Sequence, residues 1–326
     1  MKFATYDNGT TYGELYLVSK DGKRVVSTKE IVSNLFEAVN NWATVKADLS
    51  DLYKKINENL INTSEIELDR CIAPLPRTSQ FCDASAFKNH GHLMSQAFKI
   101  EEHKDDKNYP LMYQGASDDF IGPYNDVVFL NKEDGIDFEG EFAVVTAEVP
   151  MGTQPNKASD YIVLLLQLND WSLRELGPRE MKTGFGFINA KPSSSFAPFA
   201  ITPDELDEYW KDERIHLDLF IQLNNKVFGH ANGREMDFSF GELISHAAKT
   251  RKLTAGTIIG SGTVSNKDET VGSSCITEQR IREILKIGKV QTPYLNFGDE
   301  VFMEARSPDG RIKPFGFIQQ KVIKAN

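Results

Sequence analysis

The sequence predicts an α+β fold that is mainly β, with a small α+β N-terminal domain ahead of a larger one. Short apolar or alternating segments bounded by Gly, Asn and Asp recur along the chain, which is typical of strands joined by turns. Few segments have the 3.6-residue period of a helix. The 326 residues exceed the usual size of a single domain, so we expect two domains.

The composition is that of a globular protein and argues against several classes of partner. The chain is 40% hydrophobic, and its formal net charge of −10 disfavours binding to nucleic acid or to an anionic membrane. No run approaches the roughly 20 apolar residues that span a bilayer. The spacing of Cys71, Cys82 and Cys275 predicts neither a disulfide framework nor a zinc site. With no signal-peptide pattern at its start, the sequence predicts a cytoplasmic protein.

The N-terminal domain is predicted to cover residues 1–66, and the main domain residues 67–326. Residues 3–6 and 13–18 are rich in β-forming residues, and Asn8-Gly9 and Asp21-Gly22 are turn signals. The period then changes to that of a helix, with Ser27 or Thr28 as its N-cap. A second helix is expected over residues 48–60.

The main domain begins with residues that could build a pocket. Residues 80–90 predict a loop followed by a short helix that runs to about residue 100. Asp83 and His90 are two helical turns apart, so both could face one pocket. The alternative is that Asp83 caps the helix and His90 lies on the surface. Tyr113 could line a substrate pocket or belong to the core.

The segment 136–174 carries the strongest chemical signal. Its first part predicts a strand from which Glu139 and Glu141 project on the same face. Its second part, 161–168, predicts a buried strand that leads to Asp170. Carboxylates on one face repel each other unless a cation lies between them. Three of them suit Mg²⁺, Mn²⁺ or Ca²⁺. The alternative for the Glu-x-Glu pair is a solvated strand face.

Two later segments predict loops that could contact a ligand. Lys191 precedes a run of serines over 193–195, which supplies one cation and several neutral donors. The serines of a plain linker have the same composition, so this pattern leaves both alternatives open. Further on, a predicted strand runs into Gly260 and Gly262, which permit close backbone approach to a ligand, and Thr263 adds a donor.

The remainder of the main domain alternates strands, turns and helices. Residues 215–222 and 226–228 predict a hairpin turned at Asn224-Asn225. Ser239 and Glu242 form a capping-box pattern ahead of a helix expected over 240–252. A helix is expected over 278–287 and a final strand over 315–322.

Taken in order, these motifs resemble the fumarylacetoacetate hydrolase family over most of residues 66–326. Asn169-Asp170-Trp171-Ser172-x-Arg174 is close to the family's N-D-W-S-x-R signature and is the most specific match. Glu139-Gly140-Glu141 is similar to its E-x-E metal pair, and Ser261-Gly262-Thr263-Val264-Ser265 to its S-G-T-[IV]-S turn. The separate N-terminal domain also resembles the longer, fumarylacetoacetase-like members.

The resemblance implies a mixed β-sandwich roll and a homodimer. It implies cleavage of a carbon–carbon bond in a small β-diketo acid, fumarylacetoacetate or an acylpyruvate, as in aromatic amino-acid catabolism, including that of tyrosine. It also implies one divalent cation, Mg²⁺ or Ca²⁺ with Mn²⁺ possible. The implied ligands of that cation are Asp83, Glu139, Glu141 and Asp170.

The resemblance also implies roles for residues around the cation. His90 would act as the general base on water, Lys191 would stabilise negative charge on oxygen, and Arg174 would pair with a substrate carboxylate or orient the site. The residues implied to complete the pocket are Tyr113, Ser194, Ser195 and Thr263.

One position departs from the family pattern. Aligned on Gly272-Ser273, the glutamate that orients the histidine and water in the hydrolases falls on Ile276. Either Glu278, the candidate for the catalytic set, or Glu269 takes its place after a shift of register, or the function is missing.

The departure leaves three hypotheses about activity. A missing glutamate would favour an oxaloacetate decarboxylase or a keto–enol tautomerase, which keeps the cation and needs no water. The N-terminal domain favours the hydrolase. The third hypothesis is a protein that has kept the metal for stability and lost catalysis, against which His90, Lys191 and Arg174 argue, because a structural metal needs none of them.

Overall fold

The computed structural model describes residues 1–98 and 108–325 of the chain. Its strands are β1 Lys2–Tyr6, β2 Glu14–Val18, β3 Arg24–Ser27, β4 Ser64–Glu65, β5 Phe81–Ala84, β6 Met112–Gly115, β7 Val127–Phe129, β8 Ile136–Asp137, β9 Gly140–Thr146, β10 Ile162–Asn169, β11 Ser172–Leu173, β12 Ser195–Phe196, β13 Phe199–Ile201, β14 Trp210–Lys211, β15 Arg214–Ile215, β16 Asp218–Leu223, β17 Lys226–Asn232, β18 Ile258–Gly260, β19 Glu300–Arg306 and β20 Ile318–Lys324.

Helices are fewer and mostly short. The α-helices are α1 Leu35–Asn40, α2 Trp42–Asn57, α3 Lys88–Phe98, α4 Pro155–Ala158, α5 Gly177–Thr183, α6 Phe240–Ala247 and α7 Ile276–Ile287. The 3₁₀ helices are Leu68–Arg70, Lys132–Asp134, Ser159–Tyr161, Pro203–Tyr209, Gly233–Glu235 and Glu269–Val271. The predicted α+β, mainly β fold class is confirmed. No helix within residues 1–98 or 108–325 is long and apolar enough to cross a bilayer.

One large sheet combines strands from the N-terminal part of the chain with strands from the main part. Its strand order is β4-β3-β2-β1-β13-β10-β9-β18-β5-β6, with β12 pairing beside β10. The N-terminal strands therefore join the main sheet through the antiparallel pair β1 and β13. Strand β18 lies parallel to β5, although about 175 residues separate them along the chain. The domain boundary at residue 66 stays a prediction.

A second sheet, of order β17-β16-β19-β20-β7, packs on one face of the large sheet. Phe142 and Val144 of β9 share a buried apolar cluster with Ile221 of β16 and Met303 of β19. Gln167 of β10 links the sheets, because its Nε2 donates to the Met303 carbonyl at 3.0 Å and its Oε1 accepts from the Ala305 amide at 2.8 Å. The two sheets thus enclose a buried apolar core.

Helices α1 and α2 cover the opposite face of the large sheet. Ala143 and Val145 of β9 pack in a cluster with Leu35 of α1 and Leu49 of α2. Successive side chains of a strand point to opposite faces, so β9 contributes to both cores and is buried along its full length. The strand that carries the Glu-x-Glu motif is therefore a central element, as its apolar composition indicates.

Several local predictions are confirmed. The hairpin between β16 and β17 turns at Asn224 and Asn225, which have φ values of 50° and 63°. Ser239 and Glu242 form the predicted capping box, and α6 begins at Phe240. It ends at Ala247, five residues before the predicted end.

Two predictions about helices are wrong in detail. Helix α1 begins after Asn34, whose side chain accepts from the Glu37 amide at 2.8 Å, rather than at Ser27 or Thr28. The Thr28 hydroxyl instead donates to the Leu15 carbonyl at 3.0 Å. Helix α2 begins at Trp42 and ends at Asn57, so it starts earlier than predicted.

The surroundings of two candidate ligands also differ from prediction. Asp83 lies on strand β5, so it neither shares a helix with His90 nor caps one. The predicted end of the following helix, near residue 100, lies outside the described residues. The single strand predicted from residue 136 is two strands, β8 and β9, and Glu139 lies in the break between them.

The centre of the large sheet should dominate stability. Leu165 of β10 is fully buried between the sheets, and its replacement by Ala removes packing that neighbours cannot refill. We expect Leu165→Ala to lower the free energy of unfolding by about 2–5 kcal/mol, measured by urea denaturation. The control is Leu130→Ala, because Leu130 is 72% exposed. It should change that energy by less than about 0.5 kcal/mol. Equal losses in both variants would contradict the assigned core.

Candidate active site

Three buried carboxylates converge where neighbouring strands of the large sheet meet. Asp83 lies on β5, Glu141 on β9, and Asp170 directly follows β10. One oxygen of each lies within 4.8 Å of the others. The central order β10-β9-β18-β5 explains the cluster, because only β18 separates the strands of Glu141 and Asp83. The sheet brings together residues that are far apart along the chain.

Glycines on β18 and after it make room for Asp83. A Cβ on Gly260 would lie 2.2 Å from the Asp83 carboxylate. Gly262 has a φ of +76°, and its amide donates to that same carboxylate at 3.2 Å. Glycine adopts this backbone conformation at little cost. The close approach predicted for these glycines is therefore to a side chain of the site, and Thr263 is buried next to them.

The donor set of this cluster fits a divalent cation. Both oxygens of Glu141 are buried and accept no hydrogen bond from the residues that the structure describes. Burial, followed by the charges of Asp83 and Asp170, raises the pKa of Glu141 well above its usual value. Burial and the neighbouring Asp170 raise the pKa of Asp83 to about 7. A bound cation would remove this repulsion, and oxygen donors are those that Mg²⁺, Mn²⁺ and Ca²⁺ prefer.

Glu139 lies beside the cluster and faces two basic side chains. Lys191 contacts Glu139 and also donates to Asp170 Oδ2 at 2.6 Å. Arg174 Nη2 donates to Glu139 Oε1 at 2.7 Å. Although burial acts to raise it, Arg174 and Lys191 hold the pKa of Glu139 well below its usual range. The role of Glu139 as a fourth metal ligand stays a prediction.

Asp170 is held in place from several sides. Tyr113 donates to its Oδ2 at 2.6 Å and Ser194 to its Oδ1 at 2.7 Å, so both predicted pocket residues reach the site. Ser195 lies deeper and accepts from the indole of Trp171 at 2.9 Å. The ring of Phe187, which the sequence analysis did not single out, packs edge-on to Tyr113 with centroids 5.0 Å apart.

His90 is paired with Glu278, one of the two glutamates considered from sequence. His90 Nδ1 lies 3.2 Å from Glu278 Oε2, and Arg282 Nη2 donates to Glu278 Oε1 at 2.7 Å. Burial acts to raise the pKa of Glu278, but the hydrogen bond from His90 and nearby charges outweigh it and lower that pKa. Glu269 lies exposed on a 3₁₀ helix.

Helix α7 is anchored to the site by residues that sequence reasoning missed. Asp137 Oδ1 accepts from the Ile276 amide at 2.7 Å, and its Oδ2 accepts from Arg174 Nε at 2.8 Å. Cys275 is the N-cap of α7, because its sulfur accepts from the Glu278 amide at 3.3 Å. Asp137 and Cys275 carried no sequence signal for these contacts. The contact between Arg282 and Glu278 did carry one, since Arg282 follows Glu278 by one helical turn.

Comparison with known proteins agrees with this architecture. A family model described as fumarylacetoacetate hydrolase C-terminal matches residues 79–323, and one described as fumarylacetoacetase N-terminal domain 2 matches residues 1–77. An oxaloacetate tautomerase from Bacillus subtilis (strain 168) is 24% identical over 346 aligned positions, which cover 99% of this chain and 100% of the relative.

Solved structures share the fold across the full chain. A maleylpyruvate hydrolase from Sphingobium sp. SYK-6, in complex with manganese(II) ion and pyruvate, has a TM-score of 0.67 at 14% identity. A fumarylacetoacetate hydrolase from Exiguobacterium antarcticum also has a TM-score of 0.67 at 14% identity. Both alignments cover 100% of each chain. At these identities the likeness shows the fold.

The repulsion within the carboxylate cluster can be tested through stability. Burial and the neighbouring carboxylates disfavour the ionised form of Glu141 and raise its pKa, which costs the folded state stability near neutral pH. Glu141→Gln removes this cost, so we expect the cation-free variant to gain about 1 kcal/mol or more in free energy of unfolding. Wild type should gain about 2.7 kcal/mol when Mg²⁺ is present at a hundred times its dissociation constant, and the variant much less at the same concentration. Denaturant unfolding with and without Mg²⁺ measures both effects.

The matched control for this experiment is Glu148→Gln. Glu148 is exposed and pairs at the surface with Lys252 at 2.8 Å. The Glu148→Gln variant should gain as much stability from Mg²⁺ as wild type does. An undiminished response to Mg²⁺ in Glu141→Gln would show that the cation binds elsewhere.

Proposed function

Because the chain belongs to the fumarylacetoacetate hydrolase family, we propose that it is a divalent-metal-dependent hydrolase that cleaves a carbon–carbon bond of a small β-diketo acid. The observation that carries the proposal is the His90–Glu278 pair, with a distance of 3.2 Å between Nδ1 and Oε2, next to the buried carboxylate cluster. A missing glutamate would have favoured chemistry without water, and Glu278 supplies the carboxylate that orients the histidine.

Asp83, Glu141 and Asp170, with Glu139 as the fourth, would hold the cation. When bound, it would act as a Lewis acid on the oxygens of a diketo acid and favour negative charge there. Manganese(II) together with pyruvate, a 2-oxo acid, in the Sphingobium maleylpyruvate hydrolase supports this class of cation and substrate. Turnover with Mg²⁺ and with Mn²⁺ compares the candidate cations directly.

His90 would move the proton. The ionised Glu278 only accepts hydrogen bonds, so in the neutral ring Nδ1 carries the proton and Nε2 is free to accept one. Nε2 would take a proton from water as the oxygen of that water attacks the carbonyl carbon. The carbon–carbon bond then breaks, and the leaving fragment keeps the electron pair as an enolate. The proton on His90 is then transferred to the enolate carbon.

Lys191 and Arg174 would handle negative charge. Lys191 lies between Glu139 and Asp170, so its ammonium group reaches the same space as the substrate oxygens and would stabilise the enolate. Although burial acts to lower it, Asp170 and Glu139 raise the pKa of Lys191, which keeps it charged. Arg174 bridges Asp137 and Glu139 at 2.8 and 2.7 Å, which favours the orienting role among its two predicted roles.

A second candidate is an oxaloacetate tautomerase. The Bacillus subtilis relative of that name matches this chain along nearly the whole length of both proteins. The same residues would serve, because His90 could move a proton between carbon and oxygen of a 2-oxo acid without activating water. The predicted homodimer and cytoplasmic location stay proposals.

Turnover of candidate substrates separates the two activities. We expect the purified protein with Mg²⁺ or Mn²⁺ to cleave fumarylacetoacetate or acetylpyruvate, and EDTA to abolish cleavage because the carboxylate cluster loses its cation. Loss of the diketone absorbance measures the rate. Enolisation of oxaloacetate with no cleavage of either diketone would reject the hydrolase in favour of the tautomerase.

The role of Glu278 can be measured separately. Glu278→Gln keeps the shape of the side chain but removes the charge that fixes the His90 tautomer, so kcat for diketone cleavage should fall about 100-fold or more. Glu269→Gln is the control and should retain wild-type kcat, since Glu269 is exposed on its 3₁₀ helix. Equal rates in the two variants would remove Glu278 from the mechanism.

A further inference from the structure

A second group of potential metal ligands adjoins the carboxylate cluster. It consists of His90, Glu139 and Cys275, whose ligand atoms all lie within 4.8 Å of one another. We propose that this His–Cys–Glu trio binds Zn²⁺ or another borderline-soft divalent ion next to the site of the hard catalytic cation, with which it shares only Glu139. Its occupation inhibits the enzyme by capturing His90.

The two groups differ in donor chemistry. Asp83, Glu141 and Asp170 offer only carboxylate oxygens, which suit hard cations. The trio offers a nitrogen, a sulfur and one carboxylate oxygen, which is the donor mixture of many zinc sites. Hard cations should therefore bind at the carboxylate cluster, and borderline-soft ions such as Zn²⁺ at the trio. Cysteine spacing alone does not reveal this trio, because its three ligands come from distant segments.

The hydrogen-bond partner of His90 also points to a metal. Metal-binding histidines usually donate the N–H of their other ring nitrogen to a carboxylate. His90 Nδ1 has this arrangement with Glu278, which is in turn held by Arg282 at 2.7 Å. Nε2 would then be the nitrogen that binds the ion. The same geometry serves proton transfer, so a zinc ion and the substrate proton would compete for one nitrogen.

Cys275 is placed to act as a thiolate once an ion arrives. Its sulfur accepts from the Glu278 amide at 3.3 Å, at the N-terminus of the twelve-residue helix α7, where negative charge is favoured. On binding, the S–H proton passes to solvent and a metal–sulfur bond forms. Without an ion, burial and nearby Asp137 raise the pKa of Cys275, so the thiol stays protonated.

The charge balance of the region leaves room for a second ion. Among the residues that the structure describes, three fixed cations, Lys191, Arg174 and Arg282, face six carboxylates. A divalent cation at the carboxylate cluster still leaves one negative charge. A second divalent ion that binds with one thiolate brings the region to neutrality. The six carboxylates are Asp83, Asp137, Glu139, Glu141, Asp170 and Glu278.

An ion can bind to the trio only if Glu139 gives up a contact with a basic side chain. Its two oxygens face Arg174 and Lys191, so an ion in the trio takes over one of these contacts. The ion would then displace a basic side chain as well as capture His90. Inhibition by this route rests on the proposed function, whereas binding of the ion does not.

Cobalt(II) is the probe for binding, since it occupies zinc sites and absorbs in the near ultraviolet when bound to thiolate. Full-length protein saturated with Mg²⁺ should show this absorbance on addition of Co²⁺, and Zn²⁺ should abolish it by displacement. Cys275→Ser should lose the band and bind Zn²⁺ about tenfold or more weakly. Serine is a good N-cap, so the start of α7 should survive.

Two further variants complete the test. Cys71→Ser is the matched control, because Cys71 is a buried thiol in a separate apolar cluster and should keep the band. His90→Ala removes a different ligand and should also weaken Zn²⁺ binding, which covers the case in which Cys275→Ser unfolds. A cobalt–thiolate band that persists in Cys275→Ser, or wild-type Zn²⁺ affinity in both ligand variants, would overturn the proposal.

The activity of each variant with and without Zn²⁺ tests inhibition. In constant Mg²⁺, Zn²⁺ should inhibit wild type and Cys71→Ser, and about tenfold more of it should be needed for Cys275→Ser. Equal sensitivity of Cys275→Ser would show that Zn²⁺ acts at the carboxylate cluster, which contradicts the proposal. A wild type that turns over no candidate substrate yet binds Co²⁺ through Cys275 would leave this site standing and reject the proposed function alone.

Discussion

Repulsion among buried carboxylates is the constraint on which the site depends. Asp83, Glu141 and Asp170 lie together in the interior, where like charges interact far more strongly than in water. Such an arrangement persists only if the surrounding fold holds it and cations offset it. Lys191 and Arg174 offset part of the charge, and the remainder is the physical reason to expect a divalent cation. The proposed catalysis and the proposed metal binding would therefore share one electrostatic origin.

The fold meets this constraint with a rigid frame. Strand β9 is packed on both faces, against the second sheet on one side and helices α1 and α2 on the other, so Glu141 has little freedom to move away. Gly260 on the adjacent strand leaves the space that the Asp83 carboxylate occupies. Asp170 follows directly from β10, and its position is set by Tyr113 and Ser194. A frame that holds like charges this close lowers stability locally, which is typical of functional sites.

Helix α7 connects the metal region to the proton-transfer region. Its N-terminus is bound by Asp137, which also holds Arg174, while its first turn carries Glu278 beneath His90. One short helix thus helps to position both His90, the proposed base, and the guanidinium group of Arg174. The cysteine at its N-cap places a soft ligand between the two regions, which is why an ion at Cys275 would interfere with both.

The sequence by itself determined what depends on neighbours along the chain. The mainly β class, the capping box at Ser239 and the delivery of Asp170 by a buried strand all follow from local patterns of polarity and turn residues. Only the tertiary structure decided that Asp83 lies on a strand, because β5 is stabilised by pairing with the distant β18. It also decided that Glu278 is the partner of His90, 188 residues away. Such contacts arise from strand pairing and burial between remote segments, which local spacing does not encode.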